Sequence, residues 1–175
     1  PIAIGGAFTG ISDGPESAYY NIGGSAFFEK YDIFASLVKI SIPSESDDAD
    51  QNSTAMAFFA PVSSLDGVIG VHLYYKDYGS SQQTNAEGFV IEDFSIYEMA
   101  IGVTYSFKLQ ENFGLGFGVK YIYSHLFSEF VGNAVALDVG SVYHMDHSLT
   151  DAVNARLTLG LSFHNFGPKI SYQDE

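Results

Sequence analysis

The sequence predicts an all-β fold: an antiparallel transmembrane β-barrel of about seven visible strands, with an N-terminal plug-like segment. Two observations carry this expectation. The first is sustained two-residue alternation. From Ser95 to Leu109 one face reads Tyr97, Met99, Ile101, Val103, Tyr105 and Phe107, and the other Glu98, Ala100, Gly102, Thr104, Ser106 and Lys108. After Gln110-Glu111-Asn112 the pattern restarts, with Phe113, Leu115, Phe117, Val119, Tyr121 and Tyr123 opposite Gly114, Gly116, Gly118 and Lys120. Successive strand side chains point to opposite faces, so each strand has one apolar face and one small or charged face. The second observation is what occupies that other face. A soluble sandwich turns its apolar face inward and covers the outer one with Thr, Lys and Glu, whereas a row of alternating glycines covers nothing. In a membrane barrel lipid touches the apolar face, and the lumen holds small and ionisable groups.

Composition agrees. Aromatic residues make up 15% of the chain, as Tyr and Phe without Trp, and membrane barrels concentrate such rings at both interfaces. The longest wholly apolar run, Ala55 to Val62, is far short of the roughly twenty residues a membrane helix needs, so any span must be made of strands. A net charge of −14 without a basic patch excludes nucleic acid as a partner. With no cysteine, disulfides and thiolate metal sites are excluded too. The opening at Pro1 fits a processed secreted chain or a partial one.

Two units follow from the pattern. Residues 1–30 form the plug-like segment, rich in Gly and turn chemistry at Ser12-Asp13-Gly14-Pro15 and Asn21-Ile22-Gly23-Gly24. A short helical turn is expected from Pro15 to Tyr20, capped by Asp13. Residues 31–175 carry strands at Tyr31 to Ile42, Thr54 to Val62, Gly67 to Tyr78, Ser95 to Leu109, Phe113 to Phe127, Asn133 to Met145 and Ala155 to His164, with a hint of continuation at Ile170-Ser171-Tyr172. The long connections, Pro43 to Ser53 and Gly79 to Glu92, are assigned to the extracellular side and the short ones to the periplasmic side. Seven strands cannot close an even-numbered barrel, and an open edge in lipid leaves backbone groups unpaired. The chain is therefore expected to continue beyond Tyr172-Gln173-Asp174-Glu175, which lacks a terminal strand ending on an aromatic residue.

The candidate site residues lie on the lumen face: His72, Lys76, Glu98, Lys120, Asp138 and Arg156. Pairing of neighbouring strands brings Lys76 near the level of Glu98, Lys120 within a diagonal step of Asp138, and Arg156 toward Asp146 and His144. They form either a charge-neutralising network or a conduit for a ligand head group. Alternating Gly114, Gly116 and Gly118 leave room for a plug or a close backbone. No catalytic residue is assigned. Gly10-Ile11-Ser12-Asp13-Gly14 matches a nucleophile elbow but lacks the strand-turn-helix context. Asp48-Ala49-Asp50-Gln51-Asn52 begins like a calcium loop, yet Phe59 stands where the bidentate Glu belongs. His144, Asp146 and His147 do not converge on a regular strand, so neither metal nor cofactor is expected.

The run Gly5-Gly6-Ala7-Phe8-Thr9, followed by Ser12-Asp13 and Ala18-Tyr19-Tyr20-Asn21, resembles the opening of the PorV/PorQ and FadL-like outer-membrane families. There such a segment leads to an Asn-Pro-Ala motif in a periplasmic plug. Asn21 matches, whereas Ile22 and Gly23 replace Pro and Ala. The stretch Leu161 to Tyr172, with Asn165-Phe166-Gly167-Pro168-Lys169-Ile170-Ser171-Tyr172, resembles a mid-sequence stretch of PorV-type proteins. The resemblance covers the whole chain but only the N-terminal half of a family barrel. It implies a bacterial outer-membrane protein, a non-enzymatic adaptor in type IX secretion that meets translocon and cargo through its extracellular loops, with Asp47, Asp48 and Asp50 facing a basic cargo signal. The alternatives are a FadL-like transporter of a hydrophobic ligand, and a small structural barrel or adhesin.

Overall fold

The computed structural model describes residues 8–41, 50–127, 130–150 and 153–174. Its strands are β1 (Asp32–Ile40), β2 (Gln51–Val62), β3 (Gly67–Thr84), β4 (Val90–Gln110), β5 (Phe113–Phe127), β6 (Phe130–Thr150), β7 (Val153–Phe166) and β8 (Ser171–Asp174). All pair antiparallel with their sequence neighbours from β1 to β7, and the sheet curls into a half-barrel. β8 pairs with β6 through Asn133↔Ser171 to Phe130↔Asp174, beyond the β7 pairs, so it prolongs β7 along the same neighbour. Among the described residues no helix is long and apolar enough to cross a membrane.

The alternation read from sequence is the alternation of burial. Ile101, Val103, Val119, Val135 and Leu137 are half exposed on the outer face, while Thr104, Ser106, Ala134, Ala136 and Asp138 are buried on the inner one. Aromatic rings mark both ends of the outer face. Tyr97 lies 6.0 Å from Tyr75 and 6.0 Å from Tyr123, and at the other end Phe107 lies between Tyr105 and Phe117 at 5.7 and 6.5 Å. Tyr97 and Phe107 are ten positions apart on β4, which a strand tilted by about 40° converts to a height of roughly 26 Å, matching a bilayer's apolar band.

The strands run further than apolar alternation indicates. Gly79 to Glu92, expected as a long polar loop, is mostly hairpin: β3 and β4 pair out to Thr84↔Val90, with a bulge at Tyr78 and Gly79 where Gly79 takes φ +85°. Only Asn85 to Phe89 turn, and the Asn85 side chain accepts from the backbone N–H groups of Glu87 and Phe89. β2 begins at Gln51 rather than Thr54, and β6 runs to Thr150 rather than Met145. Outside the bilayer the hydrogen-bond ladder continues, but the apolar pattern that betrays it fades.

Residues 8–28 lie against the inner face, and Tyr31, just before β1, stacks on the outward-facing Phe58 instead. A short helix α1 (Ser17–Tyr20) leads into a 3-10 helix at Ile22–Phe27 whose first five residues are buried. The helix starts two residues later than expected, and Glu16 rather than Asp13 is its N-cap, without a side-chain cap. Pro15 instead lies in a turn whose carbonyl accepts from Ala18. On one flank Ala18 packs with Ala57, Phe59 and Val68, and Phe28 meets Phe59 edge-on at 5.2 Å.

The inner-face glycines are where the segment's backbone touches the wall. A Cβ at Gly116 would lie 2.6 Å from the Ile22 carbonyl carbon, one at Gly114 would crowd Gly23 and Ala26, and one at Gly140 would overlap Asn21. Gly116→Val should therefore destabilise the fold by roughly 1–3 kcal/mol through overpacking, whereas Val119→Ile on the outer face should change little. The check is the temperature at which each barrel loses its folded electrophoretic mobility in detergent.

Candidate functional site

The inner segment is organised by Asn21, which is fully buried. Its Oδ1 accepts from the Gly23 N–H at 3.1 Å and caps the 3-10 helix. Its Nδ2 donates to the Thr9 carbonyl at 2.8 Å and to the Ser141 carbonyl on β6 at 2.9 Å. Phe8, also buried, packs edge-on against Tyr20 at 5.2 Å. The Tyr19 hydroxyl lies 2.6 and 2.8 Å from the carbonyls of Met56 and Leu73, which share its one hydrogen. Burial pushes its phenol up to about 12, so it remains a donor across physiological pH. Gly5 and Gly6, the other residues of the predicted motif, lie outside the described residues.

Asp138 is the polar centre of the inner wall, 2% exposed. Lys120 on β5 donates to both its oxygens, at 2.9 and 2.8 Å. The pair is diagonal, because Lys120 stands opposite Ala136 while Asp138 stands opposite Gly118. A third bond comes from the backbone N–H of Asn165 at 2.8 Å. It exists because β7 bulges there: Leu137 pairs with Phe166 and Val139 with Phe163, so His164 and Asn165 together face Asp138. Asn165 takes φ +61°, a left-handed conformation that Asn tolerates better than most side chains.

His164, which sequence reasoning left out of the site, completes the cluster. Its Nε2 lies 2.6 Å from the Ser162 hydroxyl and 3.0 Å from the Tyr20 carbonyl, and its Nδ1 lies 3.6 Å from Asp138. Ser, His and Asp are the residue types of a nucleophilic triad, but the bonding argues against that role. A carbonyl can only accept, so Nε2 carries a hydrogen toward Tyr20 and cannot take the serine proton. His164 is instead a bridge between the inner segment and Asp138. The signal that could have found it is its position: on β7 it shares the inner face with Ser162, next to the Asn-x-Gly-Pro break.

The other predicted residues separate into groups. Lys76 and Glu98 are direct cross-strand partners, and they meet through Tyr78, whose hydroxyl donates to Glu98 at 3.0 Å while the Lys76 ammonium sits 4.3 Å from the ring centre. His72 is buried against Gly102 with its ring 5.7 Å from Tyr19. A cavity of about 400 Å³ lies among Tyr19, His72, Tyr74, Glu98, Lys120 and Ile122, which brings three of the predicted residues, His72, Glu98 and Lys120, to one space. Arg156 is not among them. It is exposed and forms a two-point ion pair with Asp146, its cross-strand partner, at 2.6 and 3.2 Å. His144 turns to Thr158 at 3.1 Å and to the ring of Phe27, and the side chain of His147 lies outside the described residues. Among the described residues no group of three His, Asp or Glu could hold a metal. Ser12, of the elbow-like motif, is buried and donates to the Phe8 carbonyl at 3.1 Å. Of the acidic loop, Asp47 and Asp48 lie outside the described residues, and Asp50 pairs with Lys39 at 2.6 Å.

Removing one partner of a buried pair leaves the other charge uncompensated. Asp138→Asn alone should cost roughly 3–5 kcal/mol. Adding Lys120→Met should recover most of it, because the asparagine oxygen can still accept from Asn165. Detergent unfolding of the two variants measures the difference.

A protein-family model described as type IX secretion system protein PorV matches residues 67–175, more than half of the chain. Comparison with curated proteins finds no match. The matched span runs from β3 to β8 and includes the Lys120–Asp138 pair and the Asn165 bulge. The chain belongs to the PorV family, and is an outer-membrane β-barrel protein of the bacterial type IX secretion system.

Proposed function

We propose that the protein is a non-enzymatic adaptor, which receives secreted cargo at the translocon and passes it to the surface-attachment machinery. The observation that supports this best is the β3–β4 hairpin. From Tyr97, in the aromatic row, to Val90 is seven positions, so a tilted strand carries the tip roughly 18 Å beyond the bilayer's apolar band. There Phe89, Val90 and Ile91 are exposed, at 71, 52 and 61%. Lipid does not reach that height, so apolar side chains held on a paired hairpin suit contact with protein. Glu87, Glu92 and Asp93 surround them, and no Lys or Arg occurs from Asp77 to Phe107. The complementary partner is a basic, partly apolar polypeptide, with Asp47 and Asp48 on the neighbouring connection adding to the same charge.

Phe89→Ser, Val90→Ser and Ile91→Ser together should reduce secreted cargo at least about tenfold while the barrel stays folded, because an apolar anchor at an interface centre supplies about 1.4 kcal/mol per tenfold of affinity. Normal secretion by this variant would rule the hairpin out as the docking element.

The cavity beside Lys120 supports a second reading, passage of a small hydrophobic molecule. Under that reading Ile122→Trp, which fills the space, should abolish uptake of a fatty acid and leave cargo secretion intact. Loss of secretion without loss of uptake favours the adaptor.

A further inference from the structure

The seven residues from Tyr19 to Ser25 are bonded to five different strands. Tyr19 reaches the backbone of β2 and β3 through Met56 and Leu73. The Ser25 hydroxyl meets that of Ser106 on β4 at 2.8 Å, Asn21 holds Ser141 on β6, and the Tyr20 carbonyl accepts from His164 on β7. On β5 the contact is direct, with Ile22 seated over Gly116 and Gly118. Ile22, Asn21 and Ser25 are fully buried. A hatch that swings open needs a free edge and a hinge, with few bonds on the moving side. Here the attachments are spread around the curve of the wall, so displacement requires all of them to break at once, each exposing a polar group or an apolar side chain that fits nowhere else.

We infer that Tyr19–Ser25 is a fixed brace. It ties strands on opposite flanks of the half-barrel to one rigid turn, sets the curvature of the wall, and stays in place while the protein works. The turn is therefore not a gate.

The test uses the full-length protein in its native outer membrane. The 175 residues contain no cysteine, and the short Ser25–Ser106 hydroxyl contact makes Ser25→Cys with Ser106→Cys a site for one added disulfide. With the bridge formed by a mild oxidant and verified by intact mass, cargo secretion should stay within about twofold of the reduced form. Secretion lost on oxidation and restored by reductant overturns the brace. A second variant, Asn21→Ala, reads the same inference without reference to cargo. Its detergent unfolding temperature should fall by several degrees while sensitivity to a large excluded antibiotic such as vancomycin is unchanged. An unchanged unfolding temperature, or a many-fold rise in sensitivity, overturns it.

Discussion

The structure depends on backbone-to-backbone contact between a 3-10 turn and the inside of a β-wall. Such contact is available only where the wall has no side chains, and β5 and β6 supply it with Gly114, Gly116 and Gly140, while Gly118 makes room for the Ile22 side chain. The turn is then held by groups that match the wall's own chemistry. Asn21 answers two carbonyls and one N–H with a single amide, which leaves no polar atom of that side chain unsatisfied in a buried place. Remove the glycines and the turn cannot approach; remove the amide and it has no reason to stay. The outer face is indifferent to both, since lipid asks only for apolar cover.

A second constraint follows from placing charge inside the wall. Asp138 and Lys120 neutralise each other, but a carboxylate has more acceptor capacity than one ammonium fills. The spare capacity is taken by a backbone N–H that a regular strand would have pointed at β6 or away from it. The bulge at Asn165 turns that N–H onto the carboxylate. Gly167 then passes close to the Val135 carbonyl, and Pro168 demands no ladder bond, so pairing resumes at Ser171. The Asn-x-Gly-Pro stretch that separates β7 from β8 is thus the backbone's accommodation of one buried acid.

How much of this was legible in the sequence depended on what kind of order each part obeys. The membrane-spanning pairs were readable because lipid imposes a period of two, and the glycine rows because no exposed strand would choose them. The diagonal approach of Lys120 to Asp138 followed from that register. The sequence of the β3–β4 hairpin looks like that of a loop, because beyond the bilayer Gly79 to Gln83 obey hydrogen bonding alone and any polar side chain will serve. The Asp13 cap failed because Gly14 and Pro15 make a tight turn before the helix begins. His164 shares the inner face with Ser162 by plain alternation, but its contact with Asp138 depends on a bulge that sets two β7 residues opposite one of β6, and a bulge leaves no mark in the pattern. Arg156 carries the right charge for the inner cluster, but its register partner Asp146 holds it at the end of the wall.

The buried acid has a bearing on how the wall is assembled. Strands that enter a bilayer beside one another can slide by two residues and still show lipid an apolar face, so hydrophobicity alone does not distinguish correct pairing from its near misses. Between β6 and β7 a two-residue slip would move the Asn165 N–H away from Asp138 and set Ser162 or Phe166 where the bulge should be. A mispaired hairpin would leave the buried carboxylate one hydrogen bond short. The cluster of Asp138, Lys120 and Asn165 acts as a proofreading mark, a point at which only one alignment of the strands gives the buried carboxylate all three of its donors.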